Sequence, residues 1–207
     1  MFEFLKELTD PESIIKYGGL ALLLVVIFSE TGLLIGFFLP GDSLVFISGL
    51  LCATQPQLLG TNIISLILSL ITAAVVGNIV GYWFGYKVGP SLFKRDDSLI
   101  FKKKYLEITR SFYKRRGGLA IVLGRFLPII RTFAPILAGV IKVDFKIFMW
   151  YNIAGAVLWI SSLSLIGFYL GIKIPWIKDY LEYIVIGLII ITTIPVVIAY
   201  RKEKKFI

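Results

Sequence analysis

The chain has 207 residues, 57% hydrophobic and 17% charged, with a mean hydropathy of +0.87. Several apolar stretches approach the roughly 20 residues a helix needs to cross a bilayer, which excludes an ordinary soluble domain and indicates one all-α, polytopic membrane unit. The formal charge of +9 comes with a single cysteine, Cys52, and no histidine, so a disulfide framework, a thiol–imidazole metal site and His-dependent nucleophile or phosphatase chemistry are excluded, and no cofactor or metal is expected. The basic residues cluster between hydrophobic segments, where they set topology and meet anionic lipid head groups; nucleic acid is not an expected partner.

Residues 1–19 set Glu3, Glu7, Asp10 and Glu12 against Lys6 and Lys16. They predict a short interfacial helix broken by Pro11, and they lack the basic start of a cleaved signal peptide. In residues 20–53 Glu30 interrupts an apolar run between Ser29 and Thr31, Gly32 and Gly36 loosen it, and Pro40-Gly41 stops it. The arm that follows, Ser43 to Ala53, is too short to cross. The pattern predicts a re-entrant hairpin with Pro40 and Gly41 at its tip, tolerated at membrane depth only where that tip faces protein or a water-filled cavity.

An uncharged loop, 54–61, leads into a predicted transmembrane helix at 62–86. Gly77, Gly81, Gly85 and Gly89 recur every fourth residue and leave one face nearly bare, suited to packing against another backbone or to a groove for a lipid tail. Residues 87–118 are strongly basic, and Phe101, Tyr105, Ile108 and Phe112 fall at helical spacing among the charges. This predicts a basic amphipathic segment, 94–116, on the cytoplasmic surface. The apolar stretch 118–141 is interrupted by Arg125, Pro128, Arg131 and Pro135, which predicts a second re-entrant hairpin with Pro128 at its tip. Transmembrane helices at 147–170 and 180–200 complete the chain, which ends in a basic tail. Placing both basic regions inside puts the acidic N-terminus and loop 54–61 outside.

The halves match in order. Phe38-Leu39-Pro40 precedes Asn78-Ile79-Val80-Gly81, and Phe126-Leu127-Pro128 precedes Asn152-Ile153-Ala154-Gly155. Each half reads as hairpin then spanning helix, in opposite orientations, the inverted repeat in which transporters bind substrate near the midplane. If the tips meet, Glu30, Asp42, Arg125 and Arg131 converge where a bare charge costs about 2.5–3.5 kcal/mol. Arginine forks suit phosphate, so Arg125 and Arg131 are the candidate phosphate ligands, while Glu30 and Asp42 can exchange protons or Na+. The plainer readings are a structural ion-pair cluster and, for Asp42, a helix N-cap.

At these residues the sequence resembles the DedA family of bacterial membrane proteins, related to eukaryotic VTT-domain (SNARE-associated) proteins. The resemblance spans roughly Gly19 to Gly171. It rests on the acid followed by Phe38-Leu39-Pro40-Gly41-Asp42, the Gly-rich helix, Arg125-Phe126-Leu127-Pro128 with Arg131, Ala138-Gly139, and the Asn152 helix with Trp159. It implies a multi-pass protein of the bacterial inner membrane that moves lipid and is not an enzyme, with undecaprenyl phosphate, a polyprenyl-phosphate carrier, returned from the outer to the inner leaflet. Its membrane-embedded acids and arginines correspond to Glu30, Asp42, Arg125 and Arg131, with Asp42 where many members carry Glu. The expected function is proton- or cation-coupled flipping of that lipid. The alternatives are a small-ion or osmolyte exchanger in pH and potential homeostasis, and an uncoupled phospholipid scramblase. A homo-oligomer is compatible with each.

Overall fold

The computed structural model describes residues 11–33, 39–92, 122, 125, 128–174, 176, 180 and 187. The expected basic segment 94–116, most of the helix 180–200, residues 1–10 and most of the first arm of hairpin two lie outside them. The described elements are α1 (Pro11–Gly32), α2 (Gly41–Thr54), α3 (Pro56–Leu59), α4 (Ile63–Leu92), α5 (Pro128–Val140) and α6 (Phe145–Lys173).

Helix α1 is described from Pro11 onward, so the expected break at Pro11 lies at the edge of the described residues. Within α1 an interruption falls at Gly19, whose φ of 53° and ψ of −147° redirect the helix. A side chain would be strained in that conformation. The described part of α1 ends at Gly32, well short of Pro40. At 14 and 13 residues, α2 and α5 are about 20 Å long, too short for a hydrocarbon core of about 30 Å. Pro135 sits inside α5 without ending it; it removes the bond to the carbonyl of Arg131 one turn back.

Among the described residues two helices are long and apolar enough to cross, 26 residues of α4 (Ile63–Val88) and all 29 of α6. Each is capped by a side chain before it: Asn62 Oδ1 accepts from Ser65 N at 2.9 Å, and Asp144 Oδ1 from Lys146 N and Ile147 N at 2.9 and 3.1 Å. They run antiparallel. Tyr82 near the end of α4 stacks on Phe148 near the start of α6, with centroids 4.7 Å apart, and at the opposite end Ile63 and Phe168 line one depression with Cys52. Large apolar side chains such as Ile64, Leu68, Trp150, Leu158 and Ile166 point outward, as lipid-facing surfaces require.

The short helices pack across the halves, α2 along α6 and α5 along α4. Glycine makes both seams close. A β-carbon on Gly49 or Gly167 would strike the Ser164 or Phe46 carbonyl, and one on Gly85 or Gly139 the Ile136 or Tyr82 carbonyl. Gly77 meets α1 at Phe28 and Gly32, and Gly81 lies between Gly32 and the ring of Pro135. The bare face of α4 is filled along these three glycines, so it does not form a lipid groove there.

Because the neighbour is backbone and cannot swing aside, Gly85→Val should overpack the α4–α5 seam by at least about 1–3 kcal/mol. Thermal unfolding in detergent should show a lowered midpoint, while Leu158→Ala, at a side chain 55% exposed, should stay within about 0.5 kcal/mol of wild type.

Candidate functional site

The charged residues gather where the short helices end. Glu30 and Thr31 are buried in the last turn of α1, which the Gly32–Gly77 crossing presses onto α4. Thr31 Oγ1 donates back to the carbonyls of Ile27 and Phe28, at 2.8 and 3.2 Å. Asp42 lies in the first turn of α2, after an N-cap at Pro40 that makes no side-chain capping bond. Its Oδ1 instead accepts from Arg131 Nη1 at 2.6 Å and from Trp159 Nε1 at 2.8 Å. The N-cap reading of Asp42 therefore gives way to a role in the cluster.

Arg131, in the first turn of α5, is fully enclosed. Its Nη2 pairs with Glu30 Oε1, its Nη1 with Asp42, and its guanidinium carbon stands 4.3 Å above the Trp159 ring. Thr132 Oγ1 donates to the Glu30 carbonyl at 3.2 Å. The second carboxylate oxygen of Glu30 rests against Gly41, where any β-carbon would overlap it. Gly41 is therefore needed for more than the turn before α2: it makes room for a carboxylate.

Arg125 is equally buried, at 1% exposure, but differently served. Its Nη2 donates to Asn152 Oδ1, and its Nε and Nη1 have no hydrogen-bond partner among the described residues. Its side chain lies along the bare face at Gly155, with Cδ 2.8 Å and Nε 3.0 Å from where a β-carbon would stand. Asn152 also donates to the Val75 carbonyl at 3.3 Å. The Asn78 amide, beside Asn152, donates to the Thr31 carbonyl at 2.9 Å and accepts from Arg125 Nη2 at 2.6 Å.

Thus the structure brings Glu30, Asp42 and Arg131 together and links Arg125 to them through Asn78, which bridges the Thr31 carbonyl and Arg125 Nη2. The four formal charges cancel unevenly. Two carboxylates on Arg131 leave a surplus of −1 there, and Arg125, with no ion pair among the described residues, carries +1. The two candidate phosphate ligands are therefore unequal: at Arg131 an incoming phosphate would have to displace two carboxylates, and at Arg125 none among the described residues. Chemically, a proton or cation would neutralise the first group and an anion the second. Sequence reasoning missed the positions of Trp159 and Thr132. A signal existed for Trp159: with Asn152 and Gly155 it falls at spacings of three and four, on one face of a helix.

The VTT domain family pattern matches residues 18–169. Protein DedA of Escherichia coli (strain K12) is 38% identical over 196 residues, covering 94% of this chain and 88% of that protein. The chain belongs to the DedA/VTT-domain family. An uncharacterized membrane protein of Mycobacterium leprae (strain TN) is 36% identical over 94% of this chain and 87% of its own length, and inner membrane protein YghB of Escherichia coli (strain K12) is 29% identical over 80% and 73%. No solved structure matches the chain significantly. As a DedA-family member it is a multi-pass protein of the bacterial inner membrane. Its role lies in membrane transport or lipid homeostasis, and it is a transporter rather than an enzyme.

The two arginines of this DedA-family protein should respond oppositely to removal of charge. Arg131→Met strands two carboxylates and should cost about 3–5 kcal/mol, partly recovered when Glu30→Gln is added. Arg125→Met deletes a buried charge that has no ion pair among the described residues and should leave the unfolding midpoint unchanged or raised. Thermal unfolding of the purified variants measures both; equal losses would contradict the unequal partition.

Proposed function

We propose that this protein returns undecaprenyl phosphate from the outer to the inner leaflet, coupled to protons or another cation. The observation that carries this reading is Arg125: a buried guanidinium, permanently charged, with two nitrogens unpartnered among the described residues. A phosphate monoester supplies the negative charge and acceptor oxygens that such a group lacks. Glu30, Asp42 and Arg131 form the coupling unit. Phosphate arriving near Arg131 competes with the carboxylates for it, and a carboxylate losing its cation partner takes up a proton more readily. Lipid phosphate and proton then move together. Anionic membrane lipids are the expected surface partners of the basic regions.

The same reading takes the chain as an inverted repeat of hairpin and spanning helix. Support comes from the matched order of elements, from α2 and α5 being too short to cross, and from Asn78 and Asn152, each heading an Asn-x-x-Gly sequence, meeting between α4 and α6. In such folds the substrate site lies between the repeats, where interrupted helices end.

The test is leaflet-to-leaflet movement of undecaprenyl phosphate in proteoliposomes, with and without a pH gradient. Wild type should flip the lipid faster with the gradient, and folded Arg125→Lys and Asp42→Asn should lose at least about tenfold in rate, the loss expected when a buried charge that pairs with the phosphate (Arg125) or with Arg131 (Asp42) is altered. Ion-driven currents with no lipid movement would instead favour an ion exchanger. Flipping indifferent to the gradient would favour an uncoupled scramblase.

A further inference from the structure

The contrast between the two buried arginines suggests a use for the residue that holds Arg125. Two carboxylates are committed to Arg131, so this fold can deliver acids to a buried guanidinium. At Arg125 it delivers an amide. Asn152 is wholly buried, and its Oδ1 takes Arg125 Nη2. An aspartate in the same place would present a carboxylate to the same donor, losing only the long donations of the amide nitrogen to the Val75 carbonyl at 3.3 Å and to Met149 Sδ at 4.0 Å. On stability alone the acid would be favoured, because an unneutralised buried cation is costly and a charge-assisted pair is strong.

We infer that Asn152 is a positioning residue that fixes Arg125 with a neutral acceptor and so keeps its charge for the phosphate group of a ligand. This rests on the phosphate-transport reading above and extends it to the selectivity of the site. The amide oxygen orients Nη2, the bare backbone at Gly155 gives the side chain its path, and Nε and Nη1 stay open. Asn78 shares the task, since its amide offers Arg125 a second neutral oxygen at 2.6 Å. With a carboxylate at position 152 the guanidinium would be neutralised from within, and an incoming phosphate would meet repulsion.

The experiment titrates purified full-length protein in detergent with inorganic phosphate and, separately, with farnesyl phosphate, reading the shift of the unfolding midpoint. Wild type should bind at least one probe; binding of farnesyl phosphate alone assigns the ligand to a lipid head group, and equal binding of both assigns it to phosphate itself. Asn152→Asp should unfold at an equal or higher temperature yet bind at least about tenfold more weakly, as expected when a buried charge is already paired. Asn152→Ser, which keeps a neutral acceptor, should bind better than Asn152→Asp. A purely structural role predicts the reverse order, with the acid retaining binding and the serine losing it, and that result would overturn the inference alone. Should Asn152→Asp fail to fold, the Asn78→Asp variant places the carboxylate on the other side of Arg125 and should weaken binding in the same way. Wild type binding neither probe would overturn the transport reading as well.

Discussion

Arg131 is the point at which four helices are tied. Glu30 reaches it from α1, Asp42 from α2, Trp159 from α6, and the residue itself belongs to α5. Inside a membrane no water is available to solvate the ends of short helices, so the groups found there must satisfy one another. A guanidinium is suited to this because it is planar: its edge takes the carboxylates while its face lies on an indole. The indole in turn donates to Asp42, so the Trp159 ring and its N–H serve two different members of the cluster.

What lets those side chains meet is the closeness of the backbones around them. The glycines of α4 and α6 reduce the helix separations until carbonyls, not side chains, limit the approach, a packing mode in which van der Waals contact replaces the hydrophobic effect. The same device serves the polar groups. Gly41 leaves space for the Glu30 carboxylate and Gly155 for the Arg125 side chain. Small residues thus hold the protein together and also make room for its charges.

Much of this was legible in the sequence. The two long apolar helices, the interruption of the chain by Pro40-Gly41, and the convergence of Glu30, Asp42 and Arg131 follow from hydropathy, helix-breaking chemistry and the cost of isolated charge. The pairing within the cluster did not follow, because which acid faces which arginine depends on helix rotation, and a charge pattern leaves rotation free. Pro135 misled for a related reason. Proline forbids one backbone bond, and whether that ends a helix depends on its position in the turn and on its surroundings; Pro135 stays inside α5, its ring against the Gly81 face. The role of Gly41 was equally hidden, since Pro-Gly reads as a turn whether or not a carboxylate lies behind it.

The crossed packing of the short helices has a mechanical consequence. Because α2 interlocks with α6 and α5 with α4, pulling one sequence half away from the other would have to open both glycine seams at once. The divisions that leave the seams intact are the exchanged pairs, each made of one helix from either half. These pairs meet at Asn78 and Asn152, two buried side chains that share Arg125 between them. The α4–α6 contact therefore joins the exchanged pairs through polar groups and not through an interlocked glycine seam, which makes it the natural axis for tilting one pair against the other.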